Sequence, residues 1–227
     1  ANTPAEVCNM PRIPAFSRVL VLFCGLALGL AAFSVAVQAA PAPSSPARQA
    51  LETATNRILA SIKNPDYVNP ATRGPLRQQI EDEVLHIFDF GEFSSRTVGV
   101  RWRSFTPQQQ KQFSDAFADL LISTYVNKID GYNGEQVVYV GELSSASGDR
   151  TEVRTVITMK DGKKVPVAYR MLPKDGGWRV YDVLIENISL VKNYRTQFQD
   201  ILNSASPDQL IERVRAKARE VRQQHAQ

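Results

Sequence analysis

The spacing of apolar residues changes along the chain. Between residues 45 and 126 apolar positions recur every three or four residues, the period of a helix that buries one face. From Gln136 to Ile185 they alternate every second residue, the period of a β-strand. The helical period then returns. Helices, a meander of four strands and further helices predict an α+β fold in which helices cover one face of an antiparallel sheet.

Four helices are predicted before the strands. Ser45 and Pro46 are a typical N-cap and first helical residue, and the first helix stops at "NPDYVNP". The second helix spans about Gly74 to Phe88, and "DFGEFSSRTVG" predicts a short third one. The fourth begins at "FTPQQQKQF", where Thr106 and Gln109 form a capping box around a proline.

Four strands follow, in the segments "VVYVGEL", "TEVRTVITM", "KVPVAYRM" and "WRVYDVLIE". Asp161-Gly162 and "PKDGG" predict the two tight hairpin turns that join the last three. Pro166 lacks a backbone N–H, so we expect the third strand to lie at an edge or to bulge there.

The stretch "GWRVYDVLIENISLVKNYRTQF" is apolar on both faces of its strand, which is typical of a strand inside a core. Strict alternation predicts two sets of side chains, with Trp178, Val180, Asp182 and Leu184 on one face and Tyr181, Val183 and Ile185 on the other. A helix from about Ser189 to Ser204 follows. "SPDQ" then opens a last helix with a thin apolar face.

The first 39 residues have the pattern of a targeting segment and are not predicted to be part of this fold. Residues 1–9 precede Met10, a potential initiator; two arginines, an apolar stretch from Val19 to Val37 and small residues then follow. This order predicts a secretory signal peptide cleaved after Ala39, or less favourably after Ala40. An uncleaved membrane anchor is the alternative. We therefore expect residues 40–46 to be a short flexible leader and residues 47–227 to form a single domain.

Cleavage would also remove both cysteines, Cys8 and Cys24. A mature protein without cysteine excludes disulfides, zinc–thiolate sites and cysteine nucleophiles. The formal net charge of the whole chain, +4, is too small to indicate nucleic-acid binding.

Catalytic residues are scarce. The histidines are His86, on a predicted helix, and His225, near the end of the chain, and the sequence lacks the common nucleophile, phosphate-binding and zinc motifs. Carboxylates at residues 81–83 fit a solvated helix face. Asp182 on an apolar strand face could act as a base, but capping a backbone amide is the simpler role. We expect no enzyme, no metal and no cofactor.

Large apolar residues are abundant on elements that would converge. Either they form an ordinary core or they line a cavity, and periodicity does not distinguish the two. The candidates are Phe88, Phe90, Phe93, Trp102, Phe113, Phe117, Leu120, Leu121, Tyr125, Val153, Ile157, Val165, Val167, Tyr169, Met171, Trp178, Val180 and Val183. Basic residues that could meet an anionic headgroup or a partner, or merely be solvated, are Arg101, Arg103, Lys128, Arg154 and Arg170.

Three segments together resemble the MlaC family of periplasmic phospholipid-binding, or toluene-tolerance auxiliary, proteins. They are "FDFGEFSSRTVGVRWRSFTPQQQKQFSDAFADLLISTY", "VPVAYRM" and "GWRVYDVLIENISLVKNYRTQF". The resemblance runs from about Ile58 to Leu210. It implies a cone-shaped fold like that of nuclear transport factors, with an apolar pocket between helices and sheet. Asn187 stands where many relatives carry glycine, and asparagine tolerates the positive φ of such a turn.

The same resemblance implies a function. Such a protein would carry phospholipid through the periplasm as its cargo. It would exchange lipid with an MlaD-like ring of an inner-membrane ABC transporter and with an MlaA-like outer-membrane lipoprotein and porin, maintaining outer-membrane lipid asymmetry. A hopanoid or another polycyclic lipid is an alternative cargo. An isomerase-type enzyme on a related cone fold would require Asp182, Tyr169 or His86 to meet in the pocket.

Overall fold

The computed structural model describes residues 44–126, 132 and 134–225, so the predicted signal peptide and Lys128 lie outside the described residues. Six α-helices occur in this part. They are α1 (Pro46–Lys63), α2 (Arg73–Ile87), α3 (Phe90–Val98), α4 (Pro107–Tyr125), α5 (Leu190–Leu202) and α6 (Pro207–His225). Two short 3₁₀ helices, Pro65–Tyr67 and Gly99–Ser104, follow α1 and α3. None of the described helices is long and apolar enough to cross a membrane.

The helix starts follow the sequence signals. The side chain of Ser45 accepts a hydrogen bond from the Arg48 N–H at 3.1 Å. Thr106 and Gln109 form the predicted capping box at the start of α4. Ser206 and Gln209 exchange the same pair of hydrogen bonds at the start of α6. These caps satisfy amide groups that the first helical turn leaves without a partner.

The sheet has five antiparallel strands rather than the four predicted. They are β1 (Gln136–Ser144), β2 (Thr151–Thr158), β3 (Lys164–Lys174), β4 (Gly177–Ile185) and β5 (Ile188–Ser189), in the spatial order β1-β2-β3-β4-β5. The fifth strand has only two residues, which is too short to produce an alternating pattern. It pairs with the end of β4 and leads directly into α5.

Two of the turns contain two consecutive residues with positive φ. Asp175 and Gly176, between β3 and β4, have φ of 52° and 75°. Glu186 and Asn187, between β4 and β5, have φ of 51° and 67°. Two consecutive positive φ values are the signature of the hairpin turn that matches strand twist. The prediction that Asn187 supports a turn in this conformation is confirmed.

The prediction for Pro166 is wrong. β3 is a central strand without a bulge at Pro166, and the irregularity in its pairing with β4 lies beside Arg170 and Met171, away from the proline. The carbonyl of Pro166 accepts a hydrogen bond from the Glu186 N–H at 2.9 Å, just beyond the end of β4. In an antiparallel ladder the N–H and C=O of one residue point to the same neighbour. The backbone nitrogen of Pro166 therefore points toward Glu186, beyond the last residue of β4. A missing N–H at this position removes no hydrogen bond from within the β3–β4 ladder.

The helices pack against the sheet and against each other. α1 lies beside α2, and the side chain of Tyr139 on β1 donates a hydrogen bond to Thr55 of α1 at 3.2 Å. α4 packs against α3 and α6. The apolar face of α6 consists of Leu210, Ile211, Val214 and Ala218, each at most 2% exposed. Elements from Ser45 onward form one compact unit.

Candidate functional site

One face of the sheet, here called the inner face, carries most of the apolar strand residues singled out in the sequence. Val153 lies opposite Tyr169, and Ile157 lies opposite Val165. Residues directly opposite each other in an antiparallel pair share a face. Thr55 of α1 contacts this face through Tyr139. The inner face is therefore the side on which α1 packs.

An irregularity in β4 corrects the predicted division of its side chains. Arg170 pairs with Asp182, but the next residue of β3, Met171, pairs with Val180, so Tyr181 is an extra residue. A bulge of this kind reverses the alternation beyond it. Val183 and Ile185 consequently join Trp178 and Val180 on the inner face, whereas Asp182 and Leu184 lie on the outer face.

Burial on the inner face decreases toward one end of the sheet. Val153, Met171 and Val180 are completely buried, and Val167 and Val183 are each 7% exposed. Val137, Ile157 and Val165, which lie side by side on β1, β2 and β3, are only partly buried. We call these three residues the open row. An apolar row that the described residues do not fully cover is a candidate contact for an apolar ligand.

A second apolar cluster lies between α1, α2 and α4. Its buried members are Tyr67, Ile80, Ile122 and Val126. Partly buried aliphatic residues of α1 and α2 pack against it: Ile58, Ile62, Leu76 and Val84. The helices α1 and α2 thus carry partly buried aliphatic side chains, as the open row does.

The aromatic candidates pack mainly against each other. Phe117 is completely buried, and its ring centroid lies 4.9 Å from that of Tyr194, 5.2 Å from Phe198 and 5.6 Å from Phe93. The connected rings, called the ring cluster below, are Phe88, Phe90, Phe93, Trp102, Phe105, Phe113, Phe117, Tyr194 and Phe198. It joins α3, α4 and α5. Centroid distances of this size are those of well-packed core aromatics.

The predicted apolar site residues thus form two groups. The strand residues share the inner face, while the aromatic residues of α3, α4 and the 3₁₀ helix belong to the ring cluster. Leu120 and Leu121 of α4 are 1% and 6% exposed, and Tyr125 is partly buried near the helix end. The site residues that were not predicted are Val137, Tyr139 and Ile185 on the inner face and Phe105, Tyr194 and Phe198 in the ring cluster. The alternation in "VVYV" could have predicted that Val137 and Tyr139 share one face of the strand.

Burial affects the tyrosines around these groups. It raises the pKa of Tyr169 to about 12. It also raises the pKa of Tyr125, Tyr139 and Tyr194. All four phenols therefore remain neutral at physiological pH and behave as apolar rings with one hydrogen-bonding group.

Asp182 lies in a polar network on the outer face. It is 2% exposed and accepts hydrogen bonds from the Ser189 hydroxyl at 2.7 Å and from the Val191 N–H at 3.1 Å. Arg170 donates to it at 3.2 Å. The simpler role expected for Asp182, capping a backbone amide, is confirmed. Tyr169 lies on the inner face and His86 is exposed on α2, so the three residues of the enzymatic alternative do not meet.

The basic candidates do not converge either. Arg101 and Arg103 lie on the 3₁₀ helix after α3, exposed to solvent. Arg154 and Arg170 lie on the outer sheet face and both donate to Glu152, at 2.9 and 3.1 Å. Burial alone would raise the pKa of Glu152, but the hydrogen bonds from these two guanidinium groups lower it.

Two surface depressions occur on or beside the outer face. One of about 180 Å³ includes Leu143, Glu152 and Tyr181 in its wall. The other, of about 340 Å³, lies over Val156, Ala168 and Leu184. Neither lies between the inner face and the helices, so the pocket expected there stays a prediction. No group of three or more His, Cys, Asp or Glu side chains suited to a metal occurs among the described residues.

Comparison with known proteins agrees with these observations. A solved structure of a phospholipid-binding protein from Ralstonia solanacearum, in complex with a phospholipid, superposes with a TM-score of 0.67. It is 26% identical in sequence and covers 81% of this chain and 100% of its own.

Two curated relatives match most of the chain. The toluene tolerance protein ttg2D of Pseudomonas putida is 25% identical over 84% of this chain and 86% of its own. The intermembrane phospholipid transport system binding protein MlaC of Haemophilus influenzae is 22% identical over 74% and 80%. The family model described as MlaC protein matches residues 52–216, which include every described element of the sheet and α2 to α5. The chain belongs to the MlaC family.

Proposed function

We propose that this protein is a periplasmic carrier that binds phospholipid by its acyl chains and moves it between complexes of the inner and outer membranes. The observation that carries the proposal is the solved relative, which matches over its whole length and is in complex with a phospholipid. Membership of the MlaC family and the names of the two curated relatives support the same function.

The physical requirement for such a carrier is an apolar enclosure. Removing one CH₂ group from water is favourable by about 0.8 kcal/mol, so a single acyl chain represents on the order of 10 kcal/mol. A soluble carrier must bury the chains and can leave the headgroup in water. No fixed catalytic group is needed for this task, and we propose no enzymatic activity.

We place the acyl-chain site between the inner sheet face and helices α1 and α2. The open row and the partly buried aliphatic residues Ile58, Ile62 and Leu76 would contact the chains. Completely buried residues such as Val153 and Met171 would form the floor. The ring cluster would hold α3, α4 and α5 together as a rigid wall, because its rings already contact each other.

The proposal includes export and partners. A signal peptide cleaved after Ala39 or Ala40 would deliver the protein to the periplasm. Its exchange partners would be an MlaD-like ring on the inner membrane and an MlaA-like lipoprotein with a porin on the outer membrane. Amino-terminal sequencing of protein purified from the periplasm tests export directly, since the chain should begin at Ala40 or Pro41.

Lipid binding is tested by organic extraction of the purified protein followed by mass spectrometry. We expect phospholipid in stoichiometric amount. A polycyclic lipid in its place would support the hopanoid alternative, and repeated extraction of protein without lipid would reject the proposal. Transfer of labelled phospholipid between vesicles bearing the two partner complexes then tests shuttling.

A matched pair of variants tests the position of the site. Val165→Asp places a charge in the open row, where it should abolish lipid retention. Val138→Asp places the same charge on the outer face of β1, where the side chain is 50% exposed, and lipid should remain bound. Circular dichroism checks that both variants fold. Retention of lipid by folded Val165→Asp protein would show that the open row is not the site.

A further inference from the structure

A pair of hydroxyl groups interrupts the apolar inner face beside the open row. The Tyr139 hydroxyl, on β1, donates a hydrogen bond to Thr55 of α1 at 3.2 Å. Tyr139 follows Val137 of the open row on the same face of β1. Thr55 lies one helical turn before Ile58, which we place near the acyl chains. The pair therefore borders the proposed acyl-chain site.

The pair has one proton more than its own hydrogen bond uses. Each hydroxyl has a single proton to donate and two lone pairs that accept. The bond between Tyr139 and Thr55 uses one of the two protons, whichever group donates. Within the described residues neither hydroxyl donates to a further acceptor, and both side chains are only partly buried. One proton is therefore available to a ligand that has acceptor oxygens.

Two neighbouring hydroxyl groups have no proton to spare. Thr155, which pairs with Tyr139 across the ladder, is 2% exposed and donates to the Val167 carbonyl at 2.9 Å. The Tyr169 hydroxyl is hydrogen-bonded to Thr155. Since the Thr155 proton goes to the carbonyl, Tyr169 is the donor in this bond and its proton is used as well. The spare proton thus distinguishes the pair of Tyr139 and Thr55 from these two neighbours.

The charged groups beside the pair do not favour an anionic ligand. The Arg48 guanidinium lies 5.1 Å from the centre of the Tyr139 ring, but it forms an ion pair with Glu52 at 2.7 Å. The charge of Glu142, which accepts from Ser45 at the start of α1, also acts on Arg48. One positive charge therefore lies among two negative ones, which disfavours a phosphate. A neutral acceptor such as an ester carbonyl fits this environment better.

We propose that the pair of Tyr139 and Thr55 binds an ester carbonyl of the lipid cargo and so selects glycerol ester lipids. The ester groups of a phospholipid lie where its acyl chains meet the headgroup, which places them at the margin of an apolar site. A carbonyl moved from water into such a site loses its hydrogen bonds unless a donor replaces them. A lipid of fused hydrocarbon rings without an ester would leave the pair unused. The inference rests on the proposed function, because it takes the inner face as the lipid site.

Competition between two synthetic lipids tests this role. Diacyl phosphatidylcholine and its dialkyl ether analogue share a headgroup and chain length, but only the first has carbonyl groups. Delipidated protein beginning at Ala40 is incubated with vesicles that contain both lipids in equal amounts, and the bound lipids are extracted and quantified by mass spectrometry. The parent should bind the ester lipid in roughly three- to tenfold excess, the effect of one neutral hydrogen bond.

Removal of both hydroxyls should abolish the preference. Thr55→Val/Tyr139→Phe nearly keeps the shape of both side chains but leaves no donor, so the ratio of ester to ether lipid should fall to about one or below. Thr55→Ser keeps both hydroxyls and should bind like the parent. A matched control, Ser144→Ala/Thr151→Val, removes another hydroxyl pair, whose oxygens lie 3.0 Å apart at the opposite end of the β1–β2 ladder. Its ratio should equal that of the parent.

The outcomes separate this role from the proposed function. Parent protein that binds neither lipid would reject the proposed function itself. Equal binding of both lipids by the parent, or an unchanged ratio in folded Thr55→Val/Tyr139→Phe, would overturn the role of the pair and leave the carrier intact. If that variant does not fold, infrared spectroscopy of the diacyl lipid bound to the parent decides. A hydrogen-bonded ester carbonyl absorbs at a lower wavenumber than a free one, so a shifted band would support the proposal and an unshifted band would overturn it.

Discussion

The carboxylate of Asp182 accepts a hydrogen bond from the backbone N–H of Val191, 3.1 Å away, and so fixes the start of α5 to strand β4. The same carboxylate accepts from Ser189 and forms an ion pair with Arg170. Ser189 is itself the N-cap of α5, because its hydroxyl accepts from the Lys192 N–H at 3.1 Å. One buried acid thus determines where the chain leaves the sheet.

Asp182→Ala should destabilise the fold by about 2–4 kcal/mol, because it leaves buried donors without an acceptor. The loss is moderated by Glu152, which still pairs with Arg170. Urea unfolding followed by fluorescence measures the effect. Asp115→Ala, which breaks an exposed pair with Lys111, should change the free energy of unfolding by at most about 1 kcal/mol. Equal effects of the two substitutions would contradict the role assigned to Asp182.

Phe117→Ala should cost about 3–5 kcal/mol, since it removes the ring that contacts four others and leaves a cavity. Phe117→Leu should cost less, because it fills most of that space. If the ring cluster is a wall and not part of the lipid site, folded Phe117→Leu protein should retain the parent's lipid content. Mass spectrometry after extraction checks this, and loss of lipid without loss of fold would assign Phe117 to the site.

Asn187→Gly should be neutral or slightly stabilising, because glycine adopts the positive φ of this turn without steric cost. Asn187→Val should destabilise by about 1–2 kcal/mol, since a β-branched side chain strongly disfavours that conformation. Thermal unfolding of the two variants gives the comparison. Val68→Ile, at a position that is 80% exposed, is a control that should leave the unfolding temperature unchanged.

Stability should fall as the pH rises from about 10 to 12. Burial raises the pKa of Tyr169 to about 12, so the folded protein keeps this proton over a range in which an unfolded tyrosine, with a pKa of about 10, has lost it. The contribution is complete below pH 10 and decreases by up to about 1.4 kcal/mol per pH unit above it.

Urea midpoints at pH 9 and pH 11 test this expectation. Tyr169→Phe should reduce the decrease without abolishing it, because burial also raises the pKa of Tyr194. The midpoints of parent and variant should keep a constant difference below pH 9. An unchanged pH dependence in Tyr169→Phe would show that the phenol ionises normally in the folded state.

Helix starts and the order of elements were predictable because they depend on local chemistry. Thr106, Pro107 and Gln109 lie within four residues of one another, and their capping box needs no distant partner. The period-two pattern of "TEVRTVITM" likewise placed β2. Asn187 was interpretable for the same reason, since a turn of two residues is decided by their own φ preferences.

The tertiary structure decided what depends on contacts between distant residues. The bulge at Tyr181 exchanged the faces of Asp182 and Val183. The bulge results from the pairing of β4 with β3, so no local sequence pattern predicts it. Pro166 occupies a central strand because β4 ends beside it. Whether an apolar side chain fills a core or faces a ligand depends on what lies across from it, which periodicity cannot record. The sequence therefore determined the helices, the four longer strands and the family, whereas only the packing separated the ring cluster from the open row.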